Sequence, residues 1–186
     1  MKNRRVLLWV PLMLFALSCQ KEKPDPRAAG ETPVSTPASS GLEVKDRLGP
    51  GREVPHLAVA DQLGNRYDLY NLLSKPKNVV LLIDAFCPAC AEESQKIERF
   101  AQFRPELNLI GVSKDSLPAV MAFKRYHQLD FPILLDVEKK LVPDYRRVIF
   151  PTLILVGPDK KIIKLYEGEI PASEARPLLE MLTGQE

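Results

Sequence analysis

Residues 78–84, Asn-Val-Val-Leu-Leu-Ile-Asp, form an unbroken β-branched and leucine-rich run. A half-exposed strand alternates apolar and polar residues, so a continuous run of this length predicts a strand buried on both faces. After Cys87 the period changes. Cys90, Ile97 and Ala101 fall on one helical face with Phe100 beside them, while Glu92, Lys96 and Arg99 point elsewhere. Residues 107–113 (LNLIGVS) predict the next strand, and residues 116–129 the next helix, with Ser116 and Pro118 as start signals. A short apolar run follows at Ile133–Leu135. Residues 152–170 predict two strands around a Gly-Pro-Asp-Lys turn, and residues 173–184 a closing amphipathic helix. Strand, helix, strand, helix, hairpin, helix implies an α/β domain, a central mixed β-sheet flanked by helices on both faces. It spans residues 49–186, the length of one ordinary domain.

Cys87 and Cys90 sit where the buried strand gives way to a helix. The first amides of a helix have no intrahelical partner, and the macrodipole is positive there, so both effects favour a thiolate at Cys87. Pro88 suits the first turn because its missing N–H is not needed. Cys90 lies one turn in, close enough to bond to Cys87 and less exposed. A zinc site would require four ligands, and beyond this pair the domain offers only His56 and His127, far apart in sequence. No metal or organic cofactor is therefore expected. A structural disulfide closing so short a loop would constrain the unfolded chain little. Redox exchange is the stronger reading.

The N-terminus bears on where such chemistry occurs. A basic start, Lys2 to Arg5, precedes 12 apolar residues, Val6 to Leu17. That is too short to cross a bilayer, which takes roughly 20, but fits the apolar core of a signal peptide. Residues 16–19, Ala-Leu-Ser-Cys, resemble a bacterial lipobox, which implies a signal peptide over 1–18 and lipidation of Cys19. An ordinary cleaved signal or an uncleaved anchor, with Cys19 uninvolved, remains the alternative. Gln20, rather than Asp, after the cysteine suggests an outer-membrane address. Residues 19–48 are crowded with Pro, Ser, Thr, Ala and charge, and read as a flexible tether. Loss of Lys2, Arg4 and Arg5 takes the net charge from +2 to −1, which gives no reason to expect a nucleic-acid partner. Export places the cysteine pair in the cell envelope, facing the periplasm or extracytoplasmic side, where disulfides persist.

Taken together, these motifs resemble the thioredoxin-like proteins, and among them the exported, membrane-tethered TlpA/ResA type. Residues 54–73 look like that family's N-terminal β extension, with its Asp-x-x-Gly turn at Asp61–Gly64. Phe-Cys-Pro-Ala-Cys stands in place of Trp-Cys-x-x-Cys. Residues 110–115 (IGVSKD) and 131–136 (FPILLD) match the inserted αβ unit. Phe150-Pro151-Thr152 stands where the family has its cis-proline. The resemblance implies a thiol-disulfide oxidoreductase of the cell envelope in which Cys87 attacks, Cys90 resolves, and the pair alternates between dithiol and disulfide. Phe86, Phe150 and Pro151 would bind the substrate. Disulfide-containing envelope proteins such as apocytochromes c would be the substrates, as in cytochrome c maturation, with a membrane disulfide reductase of the DsbD or CcdA type as electron donor.

The chain departs from the pattern at four places. Leu81 occupies the position of the buried thioredoxin Asp that moves protons for the second cysteine. Glu93, three residues after Cys90, is then a candidate proton acceptor, or else a solvated helix residue. Gln95 replaces a helix-kinking proline, and Phe86 replaces the usual Trp. Phe150 is bulkier than its usual counterpart and either selects what docks or packs in the core. Two further functions share the fold: a peroxiredoxin-like thiol peroxidase, for which Asp84 stands where a hydroxyl is needed, and a Sco-like copper-binding module, for which His127 would be the distal ligand.

Overall fold

The computed structural model describes residues 47–142 and 144–183. The signal segment, Cys19 and the expected tether up to residue 46 lie outside the described residues. Leu48, the last residue of the expected tether, is buried in the core.

The chain runs β1 (Ala58–Ala60), β2 (Arg66–Asp68), α1 (Leu69–Leu72), β3 (Lys77–Ile83), α2 (Pro88–Ala101), β4 (Leu107–Ser113), α3 (Leu117–His127), β5 (Ile133–Leu135), a 3₁₀ turn (Tyr145–Arg147), β6 (Thr152–Val156), β7 (Ile162–Glu167) and α4 (Ala172–Thr183). These strands form one sheet in the order β2-β1-β5-β4-β3-β6-β7. β3, β4 and β5 are parallel to one another, and the remaining pairs are antiparallel. The β1–β2 turn is closed by Asp61, whose carboxylate accepts the N–H groups of Leu63 and Asn65. Gly64, at φ 83°, supplies the left-handed residue that turn requires.

β3 lies between β4 and β6, which accounts for its unbroken apolar run. Its alternate side chains feed two cores. Val80 and Leu82 join one core with Ile110, Val112, Ile154 and Val156. Val79, Leu81 and Ile83 join the other, with Cys90, Ile97, Val120, Phe123, Leu178 and Leu182. Burying each such side chain contributes roughly 1.5–3 kcal/mol.

Both faces carry helix, unequally. The long helices α2, α3 and α4 share the second core, whereas the first is covered by Leu48, Val54, Leu57, α1 and the segment around the 3₁₀ turn. Chain handedness explains this. β3-α2-β4 and β4-α3-β5 are successive right-handed crossovers stepping the same way along the sheet, so their helices fall on one face. Gly111 on β4 lies under that face, where an added Cβ would come within 2.9 Å of Ile133 Cγ1 and 3.1 Å of Phe131 Cε2.

Candidate active site

The parallel register Ile83↔Ser113 and the antiparallel register Leu82↔Thr152 determine what meets at this end of the sheet. One residue beyond each strand, Asp84 lies beside Lys114, and Pro151 and Phe150 lead into β6 from the other side. The loop from Asp84 to Cys87 thus runs between two walls at the carboxyl end of β3, the usual position for a site in an α/β sheet.

Cys87 is the N-cap of α2. Its backbone is extended (φ −95°, ψ 113°), Pro88 opens the helix, and its Sγ accepts the Cys90 N–H at 3.2 Å. The sulfur therefore occupies the place of a capping oxygen and satisfies one orphan amide. Its own N–H donates to the Asp84 carbonyl at 3.1 Å. Cys87 is partly exposed and Cys90 buried, both as free thiols. Burial is the main cause that pushes the Cys90 thiol upward. Its hydrogen bond with Cys87 and the Asp84 charge add to the shift, against a lowering contribution from the Asp84 backbone.

Across the cleft the Phe150–Pro151 peptide is cis. The Phe150 carbonyl oxygen lies 3.9 Å from Cys87 Sγ. Its ring lies parallel to Tyr145, with centroids 6.5 Å apart, and packs at the edge of both cores. The ring of Phe150 is thus packed into the structure, and its backbone carbonyl faces the sulfur. Phe86 and Ile149, 81% and 56% exposed, present apolar side chains to solvent beside these two segments.

Glu93 is not a solvated residue. Its side chain is 5% exposed and meets Lys96 Nζ at 3.4 Å. Three residues from Cys90, it emerges on the same helical face. Leu81 is fully buried, with Gly111 and Leu153 as its strand neighbours. In α2, Gln95 stands in an uninterrupted helix and donates from Nε2 to the His127 carbonyl at 3.0 Å. His127 closes α3, its ring against Phe123 and Tyr126, and it lines a cleft with Gln95, Arg99 and Gln102 in the later part of α2. Among the described residues, no three His, Cys, Asp or Glu side chains are grouped as metal ligands.

Sequence reasoning missed a polar network around the cysteine loop. Lys114 Nζ contacts Asp84 Oδ2 at 2.9 Å and Asp115 Oδ1 at 3.0 Å, and lies 5.5 Å from the Phe150 ring centroid. Asp84 Oδ1 accepts the Phe86 N–H, and Asp115 Oδ2 accepts the Ala85 N–H at 2.7 Å and the Ser113 hydroxyl. Asp84, where a peroxidase would need a hydroxyl, is thus engaged by Lys114. The available signal was the polar Ser-Lys-Asp directly after an apolar strand.

Residues 50–165 match the AhpC/TSA family. The chain belongs to that family. Over 134 residues it is 25% identical to the thiol-disulfide oxidoreductase ResA of Bacillus subtilis (strain 168), covering 69% of this chain and 73% of that protein. The thioredoxin domain of a thiol-disulfide oxidoreductase from Bacteroides vulgatus superposes with a TM-score of 0.59 at 23% identity, covering 72% of this chain and 96% of that one. Peroxidoxin BcpB from Mycobacterium tuberculosis does so with 0.61 at 21%, covering 74% and 97%. The solved structures show a shared thioredoxin-like fold. The relatives bear out the TlpA/ResA resemblance, and this family member is a thioredoxin-like thiol-disulfide oxidoreductase.

Proposed function

We propose that the protein reduces disulfides in proteins of the bacterial cell envelope, apocytochromes c among them, through Cys87 and Cys90. The observation that carries this reading is the asymmetry of the pair: Cys87 caps a helix and faces the Phe150 carbonyl, while Cys90 is sealed beneath it.

An extended substrate segment pairs with the backbone at Phe150, against the cis proline, and rests on Phe86. The Cys87 thiolate attacks one substrate sulfur, forming a mixed disulfide, and the second substrate sulfur leaves and takes up a proton. Cys90 then gives its proton to Glu93 and attacks the Cys87 sulfur. The substrate's remaining thiolate is released and protonated. Two electrons have passed to the substrate, and a Cys87–Cys90 disulfide remains. A membrane reductase of the DsbD or CcdA type restores the dithiol. Acylated Cys19 anchors the protein, and the segment from there to residue 46 lets the domain reach its partners. Among the described residues no helix is long and apolar enough to cross a membrane.

The reduction potential of the pair tests the direction of transfer. A reductant should lie at about −250 mV or below, whereas a value near the roughly −120 mV of a strong oxidant would reverse the assignment.

A further inference from the structure

Lys114 stands between the loop that precedes Cys87 and the ring of Phe150. Its ammonium meets the carboxylates of Asp84 and Asp115, each within 3.0 Å, and faces the Phe150 ring. Those carboxylates take the N–H groups of Phe86 and Ala85, the two residues that precede Cys87. The loop that carries the sulfur is thereby held by two anions, and both depend on one cation. The Lys114 side chain is only 23% exposed, so this is not a loosely solvated surface pair. Burial works against the charged amine, but the two aspartates outweigh it and hold the ammonium above its ordinary range. Burial likewise opposes ionisation of Asp115, and the Ala85 N–H and Lys114 overcome it, holding that carboxyl below its usual range.

We propose that Lys114 is a positioning residue for disulfide exchange: by joining Asp84, Asp115 and the Phe150 ring, its ammonium sets the separation of Cys87 Sγ and the Phe150 carbonyl, over which a substrate disulfide must lie. The inference rests on exchange at Cys87 and adds what fixes its geometry. Without the cation, two carboxylates face one space with no counter-charge. The loop relaxes away from Phe150 when both are ionised, and returns when one is protonated. Other titratable groups nearby are Cys87 and Cys90 on α2, and Tyr145 with Asp136 behind Phe150.

The test is kcat/KM of the full-length reduced protein with a disulfide-bonded peptide, measured between about pH 5 and 8. Each variant is expressed as a ratio to wild type at the same pH. K114M should fall about tenfold at the alkaline end, and the deficit should shrink towards the acid end as the carboxylate pair takes up a proton. K114R should retain most of the rate. The double variant D84N/K114M keeps the acceptor for the Phe86 N–H but lacks the repulsion, and should recover to within about threefold of wild type. A K114M deficit that is the same at every pH, or a double variant no faster than K114M, overturns the proposal. If K114M does not fold, the double variant alone decides, and a tenfold deficit in it contradicts the proposal. Failure of the wild type to reduce the peptide would instead refute the exchange reading itself.

Discussion

On one side of the cleft, residues 84–87 are held by directed polar bonds: two carboxylates accept the Ala85 and Phe86 amides, a carbonyl accepts the Cys87 amide, and the sulfur caps a helix. On the other side, residues 149–151 lack side-chain carboxylate partners among the described residues: the Ile149 carbonyl accepts the Thr152 hydroxyl at 2.6 Å, the Pro151 carbonyl accepts the Gly168 N–H at 2.7 Å, and the Phe150 ring is held by packing. Phe150 lies against Tyr145 and at the margin of both cores, and Ile149 is left to solvent. The difference follows from what each wall must do. A reacting sulfur has to be placed to within a fraction of an ångström, which hydrogen bonds of fixed direction achieve. A surface receiving varied protein segments needs apolar area and a backbone edge, neither of which specifies the segment's sequence.

Substitutions that break one wall and spare the other sharpen this contrast. The largest effect should come from Cys87→Ser, which reduces exchange to background, while Cys90→Ser leaves the first attack intact and accumulates mixed disulfides on denaturing, non-reducing gels. Next is Glu93→Gln. An amide preserves size but cannot accept the Cys90 proton, so resolution should slow by roughly 10², most of all near neutral pH. Asp84→Asn is the comparison, because the Asp84 charge also acts on Cys90. A collapsed pH-rate profile in Asp84→Asn beside an unchanged one in Glu93→Gln transfers the role to Asp84. On the packed wall, Phe150→Ala should cost about 2 kcal/mol by thermal or urea unfolding, below the cost of truncating a fully buried Phe. It should weaken peptide binding more than it slows reaction with a small disulfide.

The smallest effect is a pH dependence of stability. The folded Cys90 thiol is raised above its ordinary 9.0. Above that pH the unfolded chain releases the proton and the folded one keeps it, so stability falls as pH rises, by about 1.4 kcal/mol per pH unit at most. Tyr145, raised by burial and by its bond to Asp136, adds to this decline above its ordinary 10.0. Reduced wild type should therefore lose more stability than Cys90→Ala in urea melts compared at about pH 8 and 10.

Much of this was legible in the sequence. The run before Asp84 read as a central strand and the Gly-Pro-Asp-Lys turn gave the β6–β7 hairpin, whereas β1 and β2 with their Asp-x-x-Gly turn came from the family resemblance. Phe150 and Pro151 were placed by the family pattern and not by any local signal. The position of Glu93 and Ser94 was harder to read, since polar residues three and four beyond Cys90 must follow it into the interior once that face is buried. The Lys114 network left only the polar Ser-Lys-Asp after an apolar strand as a mark in the sequence, and its partners could not be read from it. It depends on Ile83 pairing with Ser113, a register fixed by how β3 and β4 pack rather than by any spacing along the chain. Leu48 was assigned to the tether because its neighbours are polar, yet its side chain is buried in the core.

The account depends most on the unequal roles of the two sulfurs. Limiting iodoacetamide added to the reduced protein, followed by peptide mass spectrometry over time, measures them directly. The structure predicts that Cys87 is alkylated first and that Cys90 stays unmodified while the fold is intact. Faster modification of Cys90 would contradict the assignment of Cys87 as the attacking thiol.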